Sequence, residues 1–303
     1  MKILSLGSLN LDYTYQMDHF VAAGETTACL ERSTHRGGKG LNQSVALAKA
    51  GAEVYHAGRI GTEGKMLLDW LEECGVDVSL TETDPVLPTG HAIIQVDRTG
   101  QNCIIIYAGT NGSITREFVD KALEKFNYGD ILLMQNETSS RDYAIKAAAE
   151  KGLQVALNPS PMTGELARSE SLKHVKWFIL NELEGAAITG ESDPDLICRV
   201  MKEKFPYACV VLTLGSGGAV YYDGQKRCSH GIYKVKAVDT TAAGDTFTGF
   251  FLACIAKGGT PEEAIALASK ASAIAVSRHG ASDSIPSLEE VLNADLGDPT
   301  PAP

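Results

Sequence analysis

The sequence predicts an α/β protein, with a doubly wound, mostly parallel sheet carrying helices on both faces and a small second β-sheet beside it. Three observations carry this. From Thr115 onward, short apolar runs alternate with helical stretches, the rhythm of parallel strands joined by crossover helices. The runs at 131–134, 154–157, 177–180 and 209–212 are continuously apolar or nearly so, as expected for strands buried on both faces. Polar residues and glycines recur just past their ends, at Gln135-Asn136-Glu137, Asn158-Pro159-Ser160-Pro161, Asn181-Glu182-Leu183-Glu184 and Thr213 to Gly218. In open α/β sheets, that is the edge where ligands bind.

Composition bounds the function. The chain has 303 residues, 44% of them hydrophobic, enough for a sizeable core. Its 27 Lys+Arg against 38 Asp+Glu give a formal charge of -11. Without a basic block, this balance argues against nucleic acid or an anionic membrane as partner. The seven cysteines are scattered and form no CxxC pair, which suits reduced thiols in a cytoplasmic protein and implies no zinc site. No apolar run approaches the ~18 residues of a membrane span. Met1-Lys2 leads directly into Ile3-Leu4-Ser5-Leu6, too short for a signal segment.

Taken in order, 3–6 reads as a buried strand. Asn10 and Asp12 follow; two apart, they share one side of an extended segment, or else belong to a turn rich in Asn and Asp. Residues 13–35 alternate loosely and suggest half-exposed strands. Arg36-Gly37-Gly38-Lys39-Gly40-Leu41-Asn42-Gln43 opens an Ala-rich helix that Gly51 stops. Its glycines permit close approach of a ligand, and Lys39 and Asn42 lie within one turn. The spacing is not that of a Walker A loop. A short strand at 54–57 precedes a helix over 63–74, with Met66, Leu67, Trp70, Leu71 and Cys74 on one face. Strands at 91–96 and 103–107, joined by Asp97-Arg98-Thr99-Gly100-Gln101-Asn102, form a hairpin that can pair with those of 13–35. Val220-Tyr221-Tyr222 and 228–235 read as antiparallel edge strands. Pro261 starts a closing helix to Ser277, and the tail 297–303 is expected to be disordered.

The most telling stretch is Asp239-Thr240-Thr241-Ala242-Ala243-Gly244-Asp245. Phe247, Phe250, Phe251, Cys254 and Ile255 follow at helical spacing, which puts Asp245 in the first turn of a helix. Acids are common there as caps. Yet Ala242, Ala243 and Gly244 leave the first N–H groups open to an anion. An acid beside such a hole suits proton removal from a hydroxyl while a phosphoryl group is held. No GxGxxG follows a strand, so a Rossmann dehydrogenase is excluded.

Over about residues 2–292 the chain resembles the ribokinase-like family of carbohydrate and purine kinases. Gly37-Gly38-Lys39-Gly40-Leu41-Asn42 and Asp239 to Asp245 match its two signatures in order and separation; Gly7-Ser8-Leu9-Asn10-Leu11-Asp12 and the strand-end segments above match further pieces. The resemblance implies an ATP-dependent kinase acting on the primary hydroxyl of a pentose, with D-ribose as the first expectation. Another acceptor (2-deoxyribose, another sugar or a nucleoside) and a non-catalytic sugar-binding regulator are the alternatives. It implies sugar contacts from Asn10, Asp12, Gly38, Lys39, Gly40, Asn42 and Glu137, Asp245 as general base, and an anion hole at Ala242, Ala243 and Gly244. ATP would meet Asn181, Thr213, Leu214, Gly215, Ser216, Gly217, Gly218 and Ser269, with Glu184 near Mg2+. A K+ ion would lie against Asp239, Thr241, Ala275, Arg278, Gly280 and Ser284. Residues 1–10, 37–89 and 108–296 would form the kinase core. Residues 11–36 and 90–107 would form a β lid that also makes a homodimer. Gly61-Thr62-Glu63-Gly64, Ser160 and Thr241 depart from the family pattern without removing a catalytic group.

Overall fold

The computed structural model describes residues 1–302. Strand β1 (Ile3–Leu6), every residue buried, is followed after Gly7-Ser8-Leu9 by β2 (Asn10–Gln16). β3 (Glu31–Gly37) leads into α1 (Lys39–Lys49) through Gly38, whose φ of 96° requires a glycine. β4 (Val54–Gly61), a 3-10 turn, α2 (Lys65–Glu73), β5 (Asp77–Asp84) and the hairpin β6 (Gly90–Val96) and β7 (Asn102–Tyr107) come next. The helix–strand alternation then runs α3 (Arg116–Leu123), β8 (Ile131–Met134), α4 (Arg141–Glu150), β9 (Gln154–Leu157), α5 (Gly164–Ala167), β10 (Val175–Asn181), α6 (Glu182–Thr189), α7 (Pro194–Lys204) and β11 (Cys209–Thr213). β12 (Ala219–Tyr222), β13 (Arg227–His230), α8 (Ala243–Ala256), α9 (Pro261–Val276) and α10 (Leu288–Asn293) complete the order. Local signals fix several starts: Thr115 and Asp193 cap α3 and α7, and Thr260 forms a capping box with Glu263 ahead of Pro261 in α9.

The nine-stranded sheet has the order β13-β12-β11-β10-β9-β8-β1-β4-β5. It is parallel except where β12 pairs with β11 and with β13. Successive residues of each central strand point to opposite faces, so two cores form. Ile131, Leu133 and Val211 join α1, α2, α8 and α9 on one side. Leu132, Met134 and Val210 join α3, α4 and α7 on the other. The chain goes one way from β1 to β4 and β5 and the other way from β8 to β11. Strand order therefore reverses between β1 and β8, which opens a crevice at their C-terminal ends.

The small sheet has the order β3-β2-β6-β7. β2 and β6 pair in parallel, with Asn10 opposite Gly90, so the hairpin does join the strands of the 13–35 region. All six residues of β7 are exposed.

The structure differs from the expectations at several points. The strand expected over 228–235 ends at His230, and residues beyond it line a cavity instead. Met66 is 38% exposed, so it lies off the buried stripe of α2. β5, α7 and α10 were not anticipated. The expectation of a free tail meets a contrary contact: the Thr300 N–H donates to the Ile232 carbonyl at 2.8 Å, and the Ile232 N–H to Thr300 Oγ1 at 3.0 Å. Pro303 lies outside the described residues.

Candidate active site

The site is built on the start of α8. Its N-cap, Ala242, adopts a left-handed conformation at φ 60° and no side chain caps the helix. A non-glycine residue in that region is strained by roughly 1–2 kcal/mol. The turn presents the N-terminal N–H groups and the positive end of the helix dipole to the crevice. One group differs from expectation: the Ala243 N–H donates to the Thr240 carbonyl at 3.2 Å, so it is engaged within the turn.

Asp245 does not cap its own helix. Its carboxylate, 7% exposed, accepts hydrogen bonds across the helix interface from Asn42 Nδ2 at 3.0 Å and Gln43 Nε2 at 2.8 Å. Asn42 was expected among sugar ligands; here its amide nitrogen holds Asp245, and its buried Oδ1 has no partner among the described residues. Gln43 is a contact of Asp245 that the sequence does not single out. It is fully buried in α1, and only the packing of α1 on α8 reveals what it touches.

A polar cavity of about 220 Å³ lies in front of Asp245, lined also by Lys39, Asn181, Glu184, Ala242, Ala243 and Gly244. A second, mainly apolar cavity of about 550 Å³ is of the size that holds a drug-sized ligand. Thr213, Gly215, Ser216, Gly218 and Ser269 line it, together with Tyr233, Val235 and Phe247. Leu214 and Gly217 do not; they close the turn behind it through Leu214 N–H to Gly218 O and Gly217 N–H to Leu214 O, both 2.8 Å. The cavities meet at Thr213, Thr240, Ala243 and Gly244.

Asn181 and Glu184 face the first cavity and also start α6. The Asn181 side chain accepts from the Glu184 N–H at 2.9 Å, and the Glu184 carboxylate from the Asn181 N–H at 3.0 Å. Burial pushes the Glu184 carboxyl up from its ordinary value, against hydrogen bonds from the Asn181 N–H and Ser160 and the charge of Lys39.

The remaining expected residues gather where β1 and β8 part. Glu137 accepts from the Ser8 hydroxyl and, at 3.1 Å, from the Lys39 N–H. The Gly40 N–H donates to Ser8 Oγ at 3.2 Å, and Gly38 lies against the Ser8 carbonyl. Asn10 accepts from Asn111 Nδ2 at 2.8 Å; Asn111 is a second residue the sequence did not single out. Burial, with the nearby charge of Glu137, pushes the Asp12 carboxyl up to about 6. Of this group only Lys39 lines the cavity in front of Asp245; Asn10, Asp12, Gly38, Gly40, Asn42 and Glu137 stand outside its wall.

Asp239 ties two loops together, accepting from the Thr241 N–H at 2.9 Å and the Gly280 N–H at 3.1 Å. The Ala275 carbonyl accepts from the Arg278 N–H at 3.0 Å, and the Arg278 guanidinium pairs with Glu290 at 2.7 Å. Ser284 Oγ donates to the Ala281 carbonyl at 2.8 Å. Among the described residues no group of three or more His, Cys, Asp or Glu side chains is placed to hold a metal ion. The donors that Asp239, Thr241, Ala275, Arg278, Gly280 and Ser284 offer are a carboxylate, hydroxyls and backbone carbonyls, all oxygen, a chemistry that suits a hard cation rather than zinc.

A doubly wound sheet with two adjoining cavities, and a carboxylate beside a bare helix start at their junction, defines an enzyme that transfers a group between two small molecules. The pattern of the pfkB family of carbohydrate kinases matches residues 1–288, and the chain belongs to that family. It is 34% identical to the ribokinase of Haemophilus influenzae over 95% of this chain and 96% of that protein. It is 29% identical to the deoxyribokinase of Salmonella typhi over 96% of this chain and 97% of that one. Among solved structures it is similar to ribokinase from Cryptococcus neoformans in complex with ADP, with a TM-score of 0.86 and 30% identity, covering 96% of this chain and 98% of that one. It is similar also to Arabidopsis thaliana ribokinase complexed with ribose and ATP, with a TM-score of 0.83 and 29% identity, covering 96% and 97%.

Proposed function

We propose that this protein transfers the γ-phosphoryl group of ATP to the primary 5-hydroxyl of D-ribose, giving ribose 5-phosphate and ADP. The observation that carries the reading is the position of Asp245, held by two amides at the edge of a polar cavity that opens into a nucleotide-sized one at Gly244. The ribose and ATP of the Arabidopsis relative and the ADP of the Cryptococcus relative support it. In this reading Asp245 removes the hydroxyl proton. The sugar oxygen forms a bond to the γ-phosphorus while the bond from that phosphorus to the bridging oxygen breaks, and the electron pair leaves on ADP. The N-terminal N–H groups of α8 stabilise the charge on the transferred group. Lys39, on the same cavity wall, adds a positive charge beside it.

Glu184 would hold Mg2+ through its waters; the ion screens phosphate charge. Asp239, Thr241, Ala275, Arg278, Gly280 and Ser284 would hold K+, which would orient the peptide dipoles of the anion-binding turn; the bridge from Asp239 to the Thr241 and Gly280 N–H groups supports that assignment. Asn10, Asp12, Gly38, Gly40, Asn42 and Glu137 would meet the sugar once the small sheet, residues 11–36 and 90–107, closes as a lid over the core. Ile104, Ile105 and Ile106 are 52–65% exposed on its edge strand. An unpaired apolar edge of this kind favours a second copy of the chain as partner.

The deciding experiment is an acceptor panel read by ADP release, with and without K+. Ribose as best acceptor is the expected result. A preference for 2-deoxyribose, which the Salmonella relative makes the second reading, would replace the acceptor and keep the class. No sugar-dependent ADP release would sink the kinase reading. Asp245→Asn tests the base separately, with turnover expected to fall by about 10³-fold or more.

A further inference from the structure

We propose that Gln43 is the positioning residue of Asp245, and that a relay of buried amides sets the direction in which that carboxylate points. The inference rests on the reading of Asp245 as general base. An ionised carboxylate only accepts hydrogen bonds, so Gln43 must turn its NH2 group toward Asp245 Oδ1, at 2.8 Å. That choice fixes the rest. Gln43 Oε1 faces Gln135, whose NH2 donates to it at 2.7 Å. The Gln43 NH2 also donates to Asn158 Oδ1 at 3.0 Å, which leaves the Asn158 NH2 for the Ile179 carbonyl at 2.9 Å. Every amide orientation follows from the one before it, beginning at the carboxylate.

The relay reaches the ends of the central strands, although the buried Gln135 Oε1 has no partner among the described residues. Gln135 lies just past β8, Asn158 just past β9, and Ile179 within β10. One oxygen of Asp245 is thus located relative to three adjacent central strands as well as to its own helix. Gln43 is fully buried and lines neither cavity, so it acts on a ligand there only through its hydrogen-bond partners, of which Asp245 and Asn158 line the first cavity. Its partner on the other oxygen is different in kind. Among the described residues the buried Asn42 Oδ1 has no partner, whereas both sides of the Gln43 amide are engaged. Gln43 is the fixed support and Asn42 the adaptable one.

The test uses the full-length protein and ribose-dependent ADP release. Gln43→Met keeps length and bulk and removes the donors; Gln43→Glu keeps the shape, loses the donors and places a second carboxyl against Asp245. Both should lower kcat by about 10²-fold, with KM for ribose and ATP moving less than about two-fold. In an Asp245→Asn background, Gln43→Met should change the residual rate by less than about two-fold, because the group it positions has already gone. The same loss in both backgrounds, or KM rising in step with the fall in kcat, marks a merely structural role and overturns the inference. A wild-type kcat in Gln43→Met together with an inactive Asp245→Asn overturns it alone. Full turnover in Asp245→Asn removes the base reading and the inference with it. If Gln43→Met does not fold, the kcat and KM of Gln43→Glu decide.

Discussion

Gly249 of α8 packs so closely on Ala46 of α1 that a methyl group added to it would stand 2.3 Å from the Ala46 Cβ and 2.8 Å from backbone atoms of α1. Asn42 and Gln43 lie one turn back from this contact on α1, and Asp245 one turn back on α8. The helix crossing therefore sets the reach of the amides to the carboxylate. Gly249→Ala should push the helices apart, cost about 1–3 kcal/mol of stability and lower kcat. Urea unfolding and ribose turnover check both. A loss of stability with kcat intact would show that the contact does not govern the site.

Arg36, at the end of β3, stacks its guanidinium 4.0 Å from the centroid of the Trp70 ring and pairs with Asp283 at 2.6 Å. The Trp70 indole N–H donates to Ser282 at 3.0 Å, so the small sheet is tied to the loop that carries Gly280 and Ser284. The ion pair is partly exposed and should contribute no more than about 1 kcal/mol. Arg36→Leu is expected to leave the unfolding midpoint nearly unchanged, shift Trp70 fluorescence and raise the ribose KM, because Gly37 and Gly38 follow directly. An unchanged KM would separate the pair from the site.

Asp12 carries a pH signature. Its carboxyl is pushed up to about 6, first by burial and then by the charge of Glu137. As pH falls through about 6 it gains a proton and changes from pure acceptor to donor. The ribose KM should rise below that pH, and Asp12→Asn should remove the dependence. The stability effect has the opposite sense. The folded form holds this proton more tightly than the unfolded chain does, so Asp12 favours folding below about pH 4 and costs stability as pH rises through 6. Steady-state kinetics from pH 5 to 8 would expose a flat KM if the assignment is wrong.

His56 works against that trend. Fully buried in β4, it lies 2.8 Å from Ser44 Oγ through Nδ1, and burial pushes it down to about 4, with the Gly7 carbonyl opposing. The unfolded chain takes up this proton from about 6.5 downward while the folded protein does not. Its contribution is complete above pH 6.5 and is lost toward pH 4, on the order of 3 kcal/mol. Urea midpoints measured from pH 7 to pH 4 should fall in the wild type and fall less in His56→Gln. Equal slopes would assign acid lability elsewhere.

The parallel sheet was legible because its strands are nearly pure apolar runs, as at 131–134 and 209–212. β5, Asp77-Val78-Ser79-Leu80-Thr81-Glu82-Thr83-Asp84, escaped notice because it stands at the sheet edge and carries mostly polar side chains. The over-extension of the strand beyond His230 has a different cause. Ile232, Tyr233 and Val235 are apolar because they line the larger cavity, and a pocket wall can imitate the pattern of a strand. Asp245 was visible from Gly-Asp at the head of an apolar helix. Gln43 was not, because its partner lies 202 residues away and only tertiary packing brings them together.

Gly244 faces both cavities, yet a methyl group added there would meet no atom of the described residues within 4 Å beyond its chain neighbours and its own helix backbone. Most glycines are kept because a neighbour or a dihedral forbids anything larger; here the protein leaves open a space that its fold would let it fill. Alanine at this helical position would gain backbone rigidity worth roughly 1 kcal/mol. The bare α-carbon thus marks a doorway kept clear for its traffic, at some expense to the helix that frames it.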